Sequence, residues 1–233
     1  MTPTSITDFW CVAWFETPQA SQGADRQALA KNHRWEKGSA LSVCFLDGDK
    51  DLKDQVREAA KQWTGDDMAN ISFTFVKGKD AVIRISFKLR GSWSRVGDTC
   101  LNVPKNQPTM NLGGITANSP AEEVQRVTLH EFGHALGLIH EHQMPKSGIV
   151  WNEEGLITEL SGPPLFWDKK KIEENIIRPW AKGECNTTKF DPQSIMLYPI
   201  PERWTKNGFS SRLNMKLSEN DRKFIRRQYP HDG

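Results

Sequence analysis

The chain has 233 residues, 37% of them apolar and 26% charged, with 31 basic against 29 acidic side chains and a net charge of +2. That length suits one domain, or one domain divided by a cleft, with enough core to need no disulfides. The balanced charge gives no footprint for nucleic acid or an anionic membrane as partner, and no apolar run reaches the ~20 residues of a membrane-spanning helix.

Residues 1–36 read as an irregular N-terminal extension and residues 37–233 as the main domain. The opening stretch has no basic region, and its short apolar patch at 9–15 runs straight into Glu16, so it does not read as a secretory leader. Residues 40–46 are rich in β-formers and end at Asp47-Gly48, which predicts a strand. Leu52, Val56, Ala59, Ala60 and Trp63 recur at spacings of three and four, predicting an amphipathic helix over 51–63 with Gly65 just beyond it. Residues 71–76 and 81–87 alternate apolar and polar side chains and predict two more strands. After an irregular stretch, 109–112 reads as a short edge strand closed by Gly113-Gly114.

Ser119, Pro120 and Glu122 look like a capped helix start, with the helix running to about Leu136 and Gly137 supplying a left-handed stop. Beyond 141 the chain is loop-rich, with helices expected near 168–177 and 218–229. The basic tracts Lys169-Lys170-Lys171 and Arg226-Arg227 fall in those helices and read as solvated faces. The pattern predicts an α+β domain, with a mixed sheet and one long helix above a cleft and an irregular, helical half below it.

The informative segment is His130-Glu131-Phe132-Gly133-His134-Ala135-Leu136-Gly137-Leu138-Ile139-His140. Residues four apart share one helix face, so His130 and His134 can aim their rings at one point, with Glu131 beside them. Gly137 can take a positive φ and turn the chain, bringing His140 to that point from another direction. Three neutral imidazoles plus a water make a tetrahedral zinc site with an open position, the arrangement of a catalytic rather than a structural zinc. At average residue frequencies the full pattern arises by chance in roughly one in 10⁵ chains of this length.

This HExxHxxGxxH pattern resembles the metzincin zinc peptidases. The downstream tract Asp191-Pro-Gln-Ser-Ile-Met-Leu-Tyr-Pro199 resembles the Met-turn of their astacin branch, and Glu141 after the third histidine also matches that branch. The residues at 217–229 resemble the C-terminal helix of bacterial peptidases of this type. Leu197 departs from the pattern, since astacins usually carry His there.

The resemblance implies one zinc held by His130, His134 and His140, Glu131 as general base, Met196 as a floor beneath the metal, and Tyr198 as a tyrosine that meets the reaction intermediate. It implies a monomeric, secreted or otherwise exported endopeptidase acting on extended protein or peptide substrates, paired with the edge strand near 109–112. The specificity pocket is expected just after Met196 and in loops between about 145 and 190. Two other readings compete. One is a protease toxin or effector with a narrow target, favoured by the missing leader. The other is a catalytically silent zinc-bearing binding module, which loss of Glu131 or of a histidine would favour; none is lost.

Weaker signals remain. Asp47, Asp49, Asp51 and Glu58 partly resemble a calcium loop, but the required glycine is replaced by Leu52, so capping of the following helix is the expected role. His142 is expected in the loop leaving the site, and His33 and His231 on the surface. Cys11, Cys44, Cys100 and Cys185 allow two bridges in three pairings, or free buried thiols. Cys11 could alternatively hold the fourth zinc position in a latent state. Most of the nine tryptophans are expected in the core or in cleft walls.

Overall fold

The computed structural model describes residues 11–14, 33–163, 165–180 and 189–232, with the backbone alone for 11–14. Six strands form one sheet: β1 (Cys11–Trp14), β2 (Ala40–Phe45), β3 (Ser72–Phe75), β4 (Ile83–Ser86), β5 (Ser92–Arg95) and β6 (Met110–Leu112), in the order β1-β5-β6-β4-β2-β3. All pairings are parallel except β5 with β6. Parallel strands must have both faces covered. Here β4 is buried at all four positions, and Val43, Ile83, Ile85, Met110 and Leu112 share a core with helix α1 (Lys50–Ala60) and helix α2 (Ala121–Ala135).

The strand expected at the edge lies inside the sheet, between β4 and β5. Met110, Asn111 and Leu112 are wholly buried, and the Asn111 side chain binds the backbone of Leu89 and Gly91. Gly113 is required beside it, because a Cβ there would stand 1.8 Å from the Leu89 carbonyl oxygen. The antiparallel strand next to it is β5, in the stretch expected to be irregular. Its sequence, Ser-Trp-Ser-Arg, carries no apolar alternation, yet Ser92, Ser94 and Arg95 are buried. The outer side of β5 pairs with β1, so the expected N-terminal extension contains a strand.

Other boundaries agree closely with expectation. The predicted helix 51–63 is α1 followed by a 3-10 turn, Lys61–Trp63. At the start of α2 the capping box does not form: Pro120 is the N-cap, and the Ser119 hydroxyl instead accepts from the Thr116 N–H. Below the cleft, helix α3 (Glu153–Ser161) appears in the stretch expected to be loop, seated by Leu156 and Leu160. Helix α4 (Lys169–Ile172), capped by Asp168, runs into a π-turn, Glu173–Ile177. Leu156, Leu160, Ile172, Ile176, Tyr198 and Trp204 build a second core there. The C-terminal helix α5 (Glu219–Gln228) has the Ser218 capping box. Among the described residues no helix is long and apolar enough to cross a membrane.

Trp35 and Tyr229 fasten the far end of α2. The Trp35 indole donates to the Ala135 carbonyl and the Tyr229 hydroxyl to the Leu136 carbonyl, both at 2.8 Å. These bonds satisfy carbonyls that a helix C-terminus leaves without partners. His33 is half-buried and bonds Asp98 rather than standing on the surface, whereas His231 is exposed, as expected. Cys44 and Cys100 are free and buried; Cys185 and the Cys11 side chain lie outside the described residues. Burial pushes the Cys100 thiol up to about 12, so it is not a reactive thiolate.

Candidate metal centre

Helix α2 packs into the sheet core through Val124, Val127 and Phe132 and brings His130 and His134 together with His140. It stops at Gly137, whose φ of +93° a side chain would strain. The turn carries the Leu138 carbonyl back to the Nδ1–H of His134 at 2.8 Å and sends the chain on to His140. His130 donates its Nδ1–H to the Ile195 carbonyl at 2.8 Å, and the Glu141 N–H donates to the Met196 carbonyl at 3.1 Å. Two adjacent carbonyls of the predicted Met-turn thus steady the first ligand and the chain just after the third.

Gly133 lets this turn approach. A Cβ there would lie 2.5 Å from the sulfur of Met196, a residue only 1% exposed. Asp221 of α5 holds the turn from the far side, accepting from the Ser194 hydroxyl at 2.6 Å and the Ile195 N–H at 2.8 Å. Asp221 is not among the site residues expected from sequence; its hold on Ser194 joins residues 27 apart and has no local signal.

The candidate ligand atoms of His130, His134 and His140 lie within 4.8 Å of one another, and all three residues are buried. Among the described residues no other such group of His, Cys, Asp or Glu gathers. The donor set fits a metal. With Nδ1 donating, His130 and His134 present Nε2 lone pairs, and the buried His130 Nε2 has no hydrogen-bond partner. The Nε2 atoms of His134 and His140 stand 3.1 Å apart, close to the ~3.3 Å between two nitrogens on one tetrahedral zinc. Burial, reinforced at His130 and His140 by the neighbouring histidines, holds both imidazoles well below the usual histidine range, and burial brings His134 to about 4. Neutral imidazoles are what a metal binds.

Glu131 is 1% exposed beside this trio. Tyr198 is also brought to it, with ring centroids 4.3 Å from His140 and 6.1 Å from His130. His142 is not in the ligand group and not in an open loop. It sits in a one-turn 3-10 helix, Glu141–Gln143, buried, with its ring 5.2 Å from His140 and 4.7 Å from Tyr198. Glu141 points away to accept the Asp191 N–H at 2.7 Å, and burial pushes its carboxyl up to about 8. Beside His142 opens a cavity of about 760 Å³, walled by Met144, Ile149, Val150, Trp151 and Ile177, with Arg178 among its polar lining.

The expected calcium-like acids do other work. Asp47 accepts from the Ser86 hydroxyl and the Phe87 N–H, each at 2.8 Å. Asp49 is the N-cap of α1 without a side-chain capping bond, so only its position agrees with the capping expectation.

No protein-family model matches the chain, and no curated protein does. Solved structures do. The chain is similar to one described as the structure of myroilysin, with 35% identity and a TM-score of 0.84 over 88% of this chain and 98% of that one. It is also similar to a crystal structure of myroilysin, with 34% identity and a TM-score of 0.68 over 96% of this chain and 91% of that one.

Proposed function

Because the chain belongs to the myroilysin family of metallopeptidases, we propose that it is a zinc-dependent endopeptidase of the metzincin type, astacin-like at its Met-turn. One zinc is held by His130, His134 and His140, Glu131 is the general base, and Tyr198 assists at the carbonyl oxygen. The observation that carries this reading is the buried trio of neutral imidazoles with an unpartnered Nε2 on His130. Such a nitrogen in a dry site is costly unless something coordinates it.

Zinc, when bound, supplies Lewis acidity and brings the pKa of a water toward about 7. The chain's own residues do the rest. Glu131 accepts the attacking water's proton and passes it to the leaving amine. The Tyr198 hydroxyl donates to the carbonyl oxygen as charge develops there, which favours the transition state over the bound substrate. An extended substrate suits pairing along β5 in place of β1, which occupies the outer side of that strand. The cavity beside His142 gives room for a substrate side chain and is lined mainly by the 145–190 region expected to set specificity, with His142, Met144 and Lys206 from outside it. The protein acts outside the cell that makes it, as a monomer.

Metal analysis combined with casein cleavage tests this reading. The expected result is one zinc per chain, digestion of unfolded casein, and loss of both on chelation with recovery on added zinc. Zinc content unchanged by His130→Ala, His134→Ala and His140→Ala would sink it.

A further inference from the structure

We infer that His142 is a positioning residue that fixes the ring of Tyr198 against the metal centre; this rests on the role proposed above for Tyr198. The two rings lie 4.7 Å apart with planes 30° from parallel. Tyr198 in turn lies 4.3 Å from His140, and His140 lies 5.2 Å from His142 at 19°. The three rings meet one another in a triangle in which Tyr198 contacts a metal-ligand candidate on one side and His142 on another. Trp151 meets the His142 ring edge-on at 6.1 Å.

The His142 ring is not free to turn. Its Nε2 lies 3.0 Å from the Asn175 carbonyl oxygen. A carbonyl only accepts, so Nε2 carries the proton and Nδ1 is left as an acceptor. That Nδ1 is buried with no partner. An apolar side chain of similar size would fill the slot but leave the Asn175 carbonyl without this donor, so the histidine is held in place as well as packed. The Asn175 carbonyl comes from the π-turn Glu173–Ile177, and Gln143 binds the Glu174 and Arg178 carbonyls flanking it at 2.8 and 3.1 Å. Asn175 lies in the last turn of this helical segment, where carbonyls have no partner within the helix, and π-turns recur at functional sites. The ring that abuts Tyr198 is therefore clamped from the cavity wall.

A phenol that must meet a developing oxyanion has to be aimed before the charge appears. His142 supplies the backstop that restricts the plane in which the Tyr198 hydroxyl travels. It acts on the carbonyl oxygen only through Tyr198.

A double-mutant cycle tests this in the full chain, with kcat and KM measured on an unfolded-casein peptide. His142→Leu is expected to lower kcat roughly 10-fold, as loss of a supporting contact does, with KM and zinc content near parent values. In a Tyr198→Phe background the same change is expected to cost less than about twofold, because there is no hydroxyl left to aim. If His142→Leu does not fold, His142→Gln keeps an N–H for Asn175 while removing the ring, and should give the same pattern. His142→Phe, which keeps the ring, should restore most of kcat.

A second readout does not need activity. The chain has two tyrosines, Tyr198 and Tyr229. With ring-labelled tyrosine in metal-free protein, His142→Leu should broaden the Tyr198 resonance through added ring motion and leave Tyr229 sharp. A full 10-fold loss persisting in the Tyr198→Phe background, or an equally sharp Tyr198 signal, overturns the inference. Parent-like kcat in Tyr198→Phe alone would instead remove the role of Tyr198 on which it rests.

Discussion

At the scale of single residues, Glu131 is the sharpest case. It lies one position from the first candidate ligand on α2 and is almost fully buried. A carboxylate there costs desolvation unless its charge or its lone pairs are used. Glu131→Gln keeps the volume and the hydrogen-bonding reach but cannot accept a proton from water. The expected result is unchanged zinc content, a melting temperature near the parent's, and a fall in kcat of at least about 100-fold. Casein digestion at more than a few per cent of the parent rate would show that another group is the base. The sequence made this residue legible because its meaning is local: i, i+4 geometry on one helix and one glycine stop. His142 was not legible in the same way. Its meaning depends on Asn175, which lies 33 positions away in a turn whose π geometry has no simple pattern.

At the scale of elements, the sheet shows where sequence patterning loses its grip. Strand β2 announces itself through a run of β-formers and β4 through alternation, although its polar Arg84 and Ser86 are buried as well. Strand β5 is polar in sequence and exists because β6 offers it a ladder, with registers Ser92 to Leu112 and Ser94 to Met110. Its other side carries β1, running parallel with Cys11 opposite Ser92 and Trp14 opposite Arg95. A substrate that needs that side must compete with the chain's own N-terminal strand. Removing residues 1–32 leaves the clasp at Arg34 and Trp35 on α5 and α2 intact and frees β5. A docking free energy of only ~1.4 kcal/mol would give about a 10-fold gain in kcat/KM. Peptide hydrolysis by the truncated and full-length proteins measures it. An unchanged kcat/KM would mean that β1 does not block the substrate's place. A Cys11→Ser variant separates the strand from the sulfur: a gain as large as truncation gives would assign the block to the thiol.

At the scale of the whole molecule, the two cores meet at the Met-turn. Ile195 and Met196 pack with the sheet and α2, while Leu197 and Tyr198 pack with the lower half. The turn is held at this seam by Asp221, which accepts from Ser194, Ile195 and the Ser218 N–H. The two-part motif was readable because its halves are each short; the seam was not, because it joins α5 to the turn through side chains far apart in the chain. Asp221 also makes the seam respond to pH. Burial raises its carboxyl pKa above the usual aspartate value, outweighing three donated hydrogen bonds, and Asp191 adds to the rise. Glu141 and Asp191 are the acids that face it, and the charge on Asp221 in turn helps to raise Glu141.

A carboxyl whose folded pKa is raised favours the folded state when protonated. That contribution is fully present below the unfolded value of ~3.9 and is lost as pH rises through the folded value. Asp221→Asn stays neutral throughout. Its amide oxygen can still accept the N–H donors of Ile195 and Ser218, while its NH₂ faces the Ser194 hydroxyl, which can accept. The melting temperature of the variant minus that of the parent should therefore become more positive from about pH 4 to about pH 8. Relief of Glu141 from a neighbouring charge acts in the same direction. Thermal unfolding of metal-free protein across that range measures the difference without interference from zinc binding. A difference that is flat or falls with pH would mean that Asp221 is ionised in the fold at little cost, and that hydrogen bonding rather than burial governs the seam.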